Sequence, residues 1–221
     1  DGVPQCRAAV RHQVRRGADV IKLTATGGVL SETAAGTDQQ FFDDELKAIV
    51  DTAHMLGRRV AAHAHGPTGM AAALRAGVDS IEHGSFLNQE CLALFLEKGA
   101  WLVPTLHAGQ TVVTYAGDPD WFPEVIARKA RMVGPVMMRS LGRAHKAGVR
   151  IAFGTDCGVG AHGLNAEEFS LMVRAGMSPT VALTSATTGA AELCGLAASH
   201  GKLAPGYVAD LVALSADPRG D

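Results

Sequence analysis

Residues 43–66 read DDELKAIVDTAHMLGRRVAAHAHG: a helical stretch, a glycine, a short apolar run and then two histidines one residue apart. Leu46, Ile49, Val50 and Ala53 have the spacing of one helix face over 43–56, and Gly57 ends it. The run 59–63 that follows reads as a strand. The same order recurs along the chain. A helix over 68–76 stops at Gly77 before a strand at 80–83, and one over 89–98 stops at Gly99 before a strand at 101–104. The longest helix, 123–147, stops at Gly148 before a strand at 150–154, and an earlier strand lies at 19–23. A helix-stop glycine followed at once by a strand is the connection of an α/β fold.

Five such units fit either a doubly wound sheet or part of a closed barrel. The polar residues favour the barrel. His63, His83 and Asp156 stand at or just beyond the C-terminal ends of three strands and Lys22 near the end of a fourth, and a (β/α) barrel builds its chemistry on that rim. A complete barrel has eight strands and about 250 residues. The expectation is therefore a partial (β/α)8 TIM-type barrel, strands four to eight, over residues 1–196, with about three strands lying upstream. Helices are expected over 166–175 and 179–193. Residues 201–214, GKLAPGYVADLVAL, read as a Pro-Gly turn and an apolar strand beyond the barrel, so 197–221 form a separate return segment.

Bulk properties limit the function classes. The chain has 221 residues, 47% hydrophobic and 19% charged, which supports a sizeable core and argues against disorder. A net charge of −2 gives no electrostatic reason for a nucleic-acid or anionic-membrane partner. No apolar run approaches the roughly 20 residues that span a bilayer. Cys6, Cys91, Cys157 and Cys194 are scattered and form no CxxC pair, so reduced cytoplasmic thiols are the expectation. Export stays open, because the chain is expected to begin partway through a larger protein. A small-molecule or dipeptide-like substrate is the expected partner, with homo-oligomerisation open.

Each polar group on the rim has a bland reading beside its functional one. At period two, His63 and His65 point the same way, which suits a metal or an anion, yet they could be ordinary loop histidines. His83, in Glu82-His83-Gly84, is by itself a structural residue as readily as a ligand. Asp156, flanked by Gly154 and Gly158, could cap a short helix. Lys22 inside Val20-Ile21-Lys22-Leu23 must reach water or find a partner, because a buried unpaired ammonium is costly. Two imidazoles, a carboxylate and a lysine at successive rim positions are less easily dismissed together.

With Gly27-Gly28-Val29, Val103-Pro104-Thr105 and Gly154-Thr155-Asp156, these motifs resemble the amidohydrolase superfamily. The similarity is to the branch of Xaa-Pro dipeptidases, basic-residue carboxypeptidases and ochratoxin-type amidases. It runs from about residue 17 to 218, and the tail 201–214 resembles the return of those chains into a small β-sandwich. The resemblance implies a metal-dependent hydrolase that cleaves an amide C–N bond of a dipeptide-like or N-acyl amino acid substrate through a metal-bound hydroxide. It implies two divalent ions, zinc foremost, with Lys22 carboxylated to a bridging carbamate and His63 and His83 on the second metal. Asp156 is implied as ligand of the first metal and general base, and His65 as a catalytic or substrate-contacting group. Zinc takes imidazole and oxygen donors and brings bound water to a pKa near 7, which gives those residue types their use.

The family also carries an HxH pair on its first barrel strand. No such pair precedes Lys22, and His12 stands alone in a basic helical segment. A fragment of a longer chain is the expected explanation. On the rim, His107, His162 and Asn165 are candidate substrate contacts. Gly27-Gly28 lacks the rest of a P-loop or dinucleotide fingerprint and reads as a rim turn, and Cys157 lacks the partners of a nucleophile. Two rivals remain. A mononuclear imidazolonepropionase- or deaminase-like enzyme would place a glutamate shortly after the strand-five histidine and lack Lys22. A non-catalytic barrel fragment has the missing HxH as its support.

Overall fold

The computed structural model describes residues 2–32, 36–118 and 120–219. Its elements run α1 (Val3–Arg15), β1 (Val20–Thr24), α2 (Asp43–Met55), β2 (Arg59–Ala64), α3 (Pro67–Ala76), β3 (Ser80–His83), α4 (Gln89–Lys98) and β4 (Trp101–Val103). They continue with α5 (Leu106–Tyr115), α6 (Glu124–Ala147), β5 (Arg150–Ile151), α7 (Glu167–Arg174), α8 (Pro179–Ala186) and α9 (Thr188–Leu193). Local chemistry sets several of these boundaries. Pro67 opens α3, where its missing N–H costs nothing. Gly77 and Gly148 close α3 and α6 in the left-handed conformation that other residues resist. Asn88 caps α4 by accepting the Cys91 N–H at 2.8 Å. Glu45 reaches back to the Phe42 N–H at 2.9 Å to start α2.

The five strands form one parallel sheet in the order β1-β2-β3-β4-β5. That sequential order is the way a (β/α) barrel is laid down, and among the described residues the sheet does not close. Ile21, Leu23, Val60, Ala62, Ala64, Ile81 and Leu102 face the helices and join the main core. Each such side chain, fully buried, contributes roughly 1.5–3 kcal/mol if it is as large as valine or leucine. On the other face Val20, Lys22 and Thr24 are exposed, while Arg59, Ala61, His63 and Glu82 are half-buried. Trp101, Val103 and Ala152, with Leu193 against them, make a separate small cluster.

Four expectations need correction. The strand at 150–154 is only two residues long. Ala152 still donates to the Leu102 carbonyl at 3.0 Å, but Phe153 donates to Ser185 of α8 at 3.1 Å, so the backbone leaves the ladder there. The helix over 179–193 breaks at Thr187 (φ −116°, ψ −97°), in the run Thr187-Thr188-Gly189 of poor helix formers. Residues 201–214 form no strand: Leu203, Leu211, Val212 and Leu214 are exposed, and no described strand lies beside them to complete a ladder. His107, expected as a rim residue just past a strand, lies in the first turn of α5.

The unpaired edge of β1 and the exposed apolar side chains at 203–214 give the isolated chain sticky surface. Expressed as these 221 residues alone, it is expected to sediment as oligomers and to bind a hydrophobic dye. A monodisperse monomer with cooperative unfolding and no dye binding would contradict this.

Candidate metal centre and active-site pocket

The site is built where β1, β2 and β3 end. Lys22 pairs in register with Ala61 and His63 with Glu82, so Lys22, His63 and Glu82 share the face turned away from the helices. His65 lies just past β2. Its N–H donates to Thr26 Oγ1 at 2.9 Å and its carbonyl accepts the Phe86 N–H at 2.9 Å, so the loops after β1 and β3 both hold it. Gly66 follows because nothing larger fits: a Cβ there would lie 1.9 Å from the Thr37 carbonyl oxygen. His83 ends β3.

The three imidazoles converge. Ring centroids are 4.7 Å apart for His63 and His65, 4.5 Å for His63 and His83, and 4.9 Å for His65 and His83, the last pair stacked. One ring nitrogen from each lies within 4.8 Å of the others, an arrangement that could hold a metal ion. Outer partners orient two of the rings. His65 Nδ1 is 2.7 Å from Ser85 Oγ, and His83 Nδ1 is 2.7 Å from Thr105 Oγ1. Such partners fix the tautomer of a ligating histidine and turn its other nitrogen to the site.

Burial keeps these rings neutral, the form that binds metal. Burial, then the neighbouring His63 and Lys129, lower His65 to about 3. His83 is held well below its ordinary value by burial first and then by His65, His63 and Lys22. His63 is lowered mainly by burial, with Lys22 adding to it and Asp156 opposing it. Glu82, whose Oε1 accepts the Ser80 hydroxyl at 2.6 Å, is raised by burial.

Three non-glycine residues of the described chain have left-handed backbone: His83 (φ 73°), Thr105 (φ 49°) and Asp156 (φ 52°). They lie at the end of β3 and beyond the ends of β4 and β5 in turn. Each such turn costs roughly 1–2 kcal/mol, and strain of this kind concentrates at functional sites. A pocket of about 160 Å³ opens beside the histidines, walled by Val29, Val112, Val133, Met137 and Val159, with Asp156 on its rim.

Of the residues expected at the site, the structure brings His63, His65, His83 and Asp156 to this one pocket. Lys22 stands on the same sheet face, within electrostatic reach of His63 and His83. His107 is buried against Glu167, Nε2 to Oε2 3.4 Å, and does not line the pocket. His162 is exposed beside Cys157 (3.3 Å), and Asn165 donates to Thr155 Oγ1 at 3.0 Å; neither lines the pocket. Sequence reasoning passed over Lys129, Ser85 and Glu168, and gave Thr105 no role beyond its place in the Val103-Pro104-Thr105 motif. Lys129 is buried in α6 and bonds the carbonyls of Gly28 and Ser31, tying down the loop that forms one pocket wall. A lysine in an amphipathic helix looks like any solvated one, so no signal marked it. Glu168 is buried, and its carboxylate accepts the N–H groups of Leu106 at 2.9 Å and His107 at 2.6 Å. Burial pushes it up to about 7 against those two bonds.

The whole chain, residues 1–221, matches the amidohydrolase family, and the protein belongs to that family. The ochratoxinase of Aspergillus niger is 39% identical over 223 residues, covering all of this chain and 46% of that protein. Its crystal structure superposes with a TM-score of 0.87 and 50% of that chain covered. A Xaa-Pro dipeptidase crystallised with methionine in its active site is 43% identical with a TM-score of 0.98, over all of this chain and 54% of that one. A prolidase complexed with N-methylphosphonate-L-proline is 36% identical with a TM-score of 0.91, again over all of this chain and 54% of that one. The chain thus spans about half the length of the relatives it matches.

The imidazole shifts imply acid sensitivity in the metal-free protein. An unfolded histidine protonates near 6.5 while folded His65 resists to about 3, so its contribution is complete above 6.5 and is lost as pH falls below it. Each fully shifted ring loses about 1.4 kcal/mol per pH unit in that window. Glu168 acts oppositely: raised from 4.5 to about 7, its contribution is present below 4.5 and is lost as pH rises through 7. Glu82, also raised by burial, acts in the same direction as Glu168. Three lowered rings outweigh two carboxylates. Urea unfolding with chelator present should show stability falling from pH 6.5 to 5, with a shallower fall in His65→Gln. Equal slopes for the two proteins would refute the assignment.

Proposed function

We propose that this chain carries most of the metal-binding site of a hydrolase that cleaves an amide C–N bond in a dipeptide-like or N-acyl amino acid substrate, with an apolar side chain seated beside the histidines. One observation carries the reading: the neutral His63–His65–His83 cluster opens directly onto an apolar pocket. Neutral imidazoles with oriented outer partners are a donor set that fits zinc or a similar divalent ion. His63, His83, Asp156 and a carboxylated Lys22 would hold two such ions in the full-length protein. When bound, the metal supplies a Lewis acid for the scissile carbonyl and makes water acidic enough to be a nucleophile at neutral pH.

The chain's own groups then divide the work. Asp156, on the pocket rim, accepts a proton from the attacking water and delivers it to the leaving amine. His65, locked by Ser85 and neutral, contacts the substrate by hydrogen bonding. The Lys22 ammonium first loses a proton to solvent, and the free amine then reacts with carbon dioxide, forming an N–C bond and releasing a second proton, so that a cation becomes an anionic carbamate. Val29, Val112, Val133, Met137 and Val159 receive the apolar group, and among the described residues neither lysine nor arginine lines that wall. The methionine in the related Xaa-Pro dipeptidase and the prolyl phosphonate in the related prolidase are groups of this class.

The test uses the full-length protein. Metal analysis should find close to two equivalents, and His83→Ala should lose at least one. Lys22→Ala should lower kcat/KM by about 10²-fold or more, with no response to bicarbonate during expression, whereas the wild type gains activity from it. Substrates with an apolar residue beside the amide should exceed arginyl counterparts by roughly 10- to 100-fold. Full metal content and turnover in both variants would sink the assignment, and a preference for arginyl substrates would sink the apolar specificity.

A further inference from the structure

Thr105 occupies the N-cap position of α5, where a threonine hydroxyl ordinarily accepts an N–H from the first helical turn. Here it makes no such cap. Its Oγ1 is directed at His83 Nδ1, 2.7 Å away, from a left-handed backbone that a β-branched residue rarely adopts. The N-terminal N–H groups of α5 still need an acceptor, because they are buried. Glu168 supplies it from the first turn of α7. Its two oxygens accept the Leu106 and His107 N–H groups at 2.9 and 2.6 Å, and its side chain is wholly buried. A carboxylate at that place also opposes the positive end of the helix dipole.

We propose that Glu168 is a positioning residue for the metal centre: by capping α5 in place of Thr105, it frees the Thr105 hydroxyl to accept from His83 Nδ1–H and leave Nε2 bare for a metal. The two contacts form one relay, from α7 through the start of α5 to the end of β3. Without Glu168, the buried His107 N–H, at the second helical position, lacks an acceptor, and the Thr105 hydroxyl at the N-cap is the group placed to supply one. His83 then loses the partner that fixes its tautomer and ring plane. Glutamine cannot replace the carboxylate, because its amide NH2 would oppose one of the two backbone N–H groups.

The inference rests on the metal-site reading of His83, and the experiment separates the two. In the full-length protein, cobalt(II) and zinc(II) dissociation constants are measured by chelator competition for the wild type, His83→Ala, Thr105→Ser, Thr105→Val, Glu168→Gln and the Thr105→Val/Glu168→Gln double variant. Thr105→Val and Glu168→Gln should each weaken metal binding, by roughly 10- to 100-fold, the range for lost outer partners. Thr105→Ser, which keeps the hydroxyl, should bind within about twofold of wild type. The double variant should be no weaker than Thr105→Val by more than about twofold, because both changes act through one hydroxyl. Losses that multiply in the double variant, or wild-type affinity in Glu168→Gln, would overturn the relay. Wild-type metal content in His83→Ala would instead overturn the metal reading itself. Should Glu168→Gln fail to fold, Glu168→Asp, which keeps the charge but is too short to reach both N–H groups, enters the cycle with the same expectation.

Discussion

Lys22 lies opposite Ala61, and His63 opposite Glu82, because β1, β2 and β3 are parallel and hydrogen-bonded in unbroken register. Side chains alternate along each strand, so a slip of one residue would bury Lys22 among the helices and turn Ile21 and Leu23 to the open face. The apolar residues facing α2 and α3 therefore hold the polar residues of the other face in place. A parallel sheet is ordinarily covered on both sides. Here the helices cover one side and the other carries a lysine, a histidine and a glutamate, half-buried or exposed.

The strand ends add what register alone cannot. A side chain continuing the pleat of β3 or β5 would point along the sheet normal. The left-handed turns at His83 and Asp156 change that direction and bring both groups to the pocket that His63 and His65 line. Thr105, turned the same way after β4, reaches back to His83. Three consecutive strand ends thus use the same costly backbone conformation, and contacts from the helices support two of them: Glu168 holds the start of α5 after β4, and Ser140 the carbonyl of Ser85 after β3. Lys129 holds the loop after β1 in the same way.

How much of this was legible in the sequence follows from the range of each interaction. The αβ connections could be read because Gly77, Gly99 and Gly148 act locally, through backbone conformation that needs no tertiary contact. His63, His83 and Asp156 could be placed on the rim because each follows an apolar strand at once. α5 was hidden: Thr111, Val112, Val113 and Thr114 carry strand propensity, and burial against α6 overrides it. The short β5 and the break at Thr187 depend on bonds to Ser185 and within the Thr187 turn, which no periodicity announces. Residues 203–214 have the composition of a strand, but a strand is completed by its neighbour, and no described neighbour lies beside them. Glu168 and Lys129 were invisible for a similar reason. Each is a charged residue on an amphipathic helix, and only the packing shows that its charged end points inward.

Electrostatics gives the last step. The ammonium of Lys22 lowers the proton affinity of His63 and His83, and the same Coulomb term opposes any dication placed among those rings. It also holds down the pKa of Glu82 on the same face, against the burial that raises it. A lysine kept cationic there would favour neutral histidines and a bound anion. A lysine converted to carbamate reverses the sign of every one of these terms at once, favouring cations near His63 and His83 and disfavouring the ionised form of Glu82. Burial dominates the proton inventory of these groups, and the charge state of Lys22 tunes it.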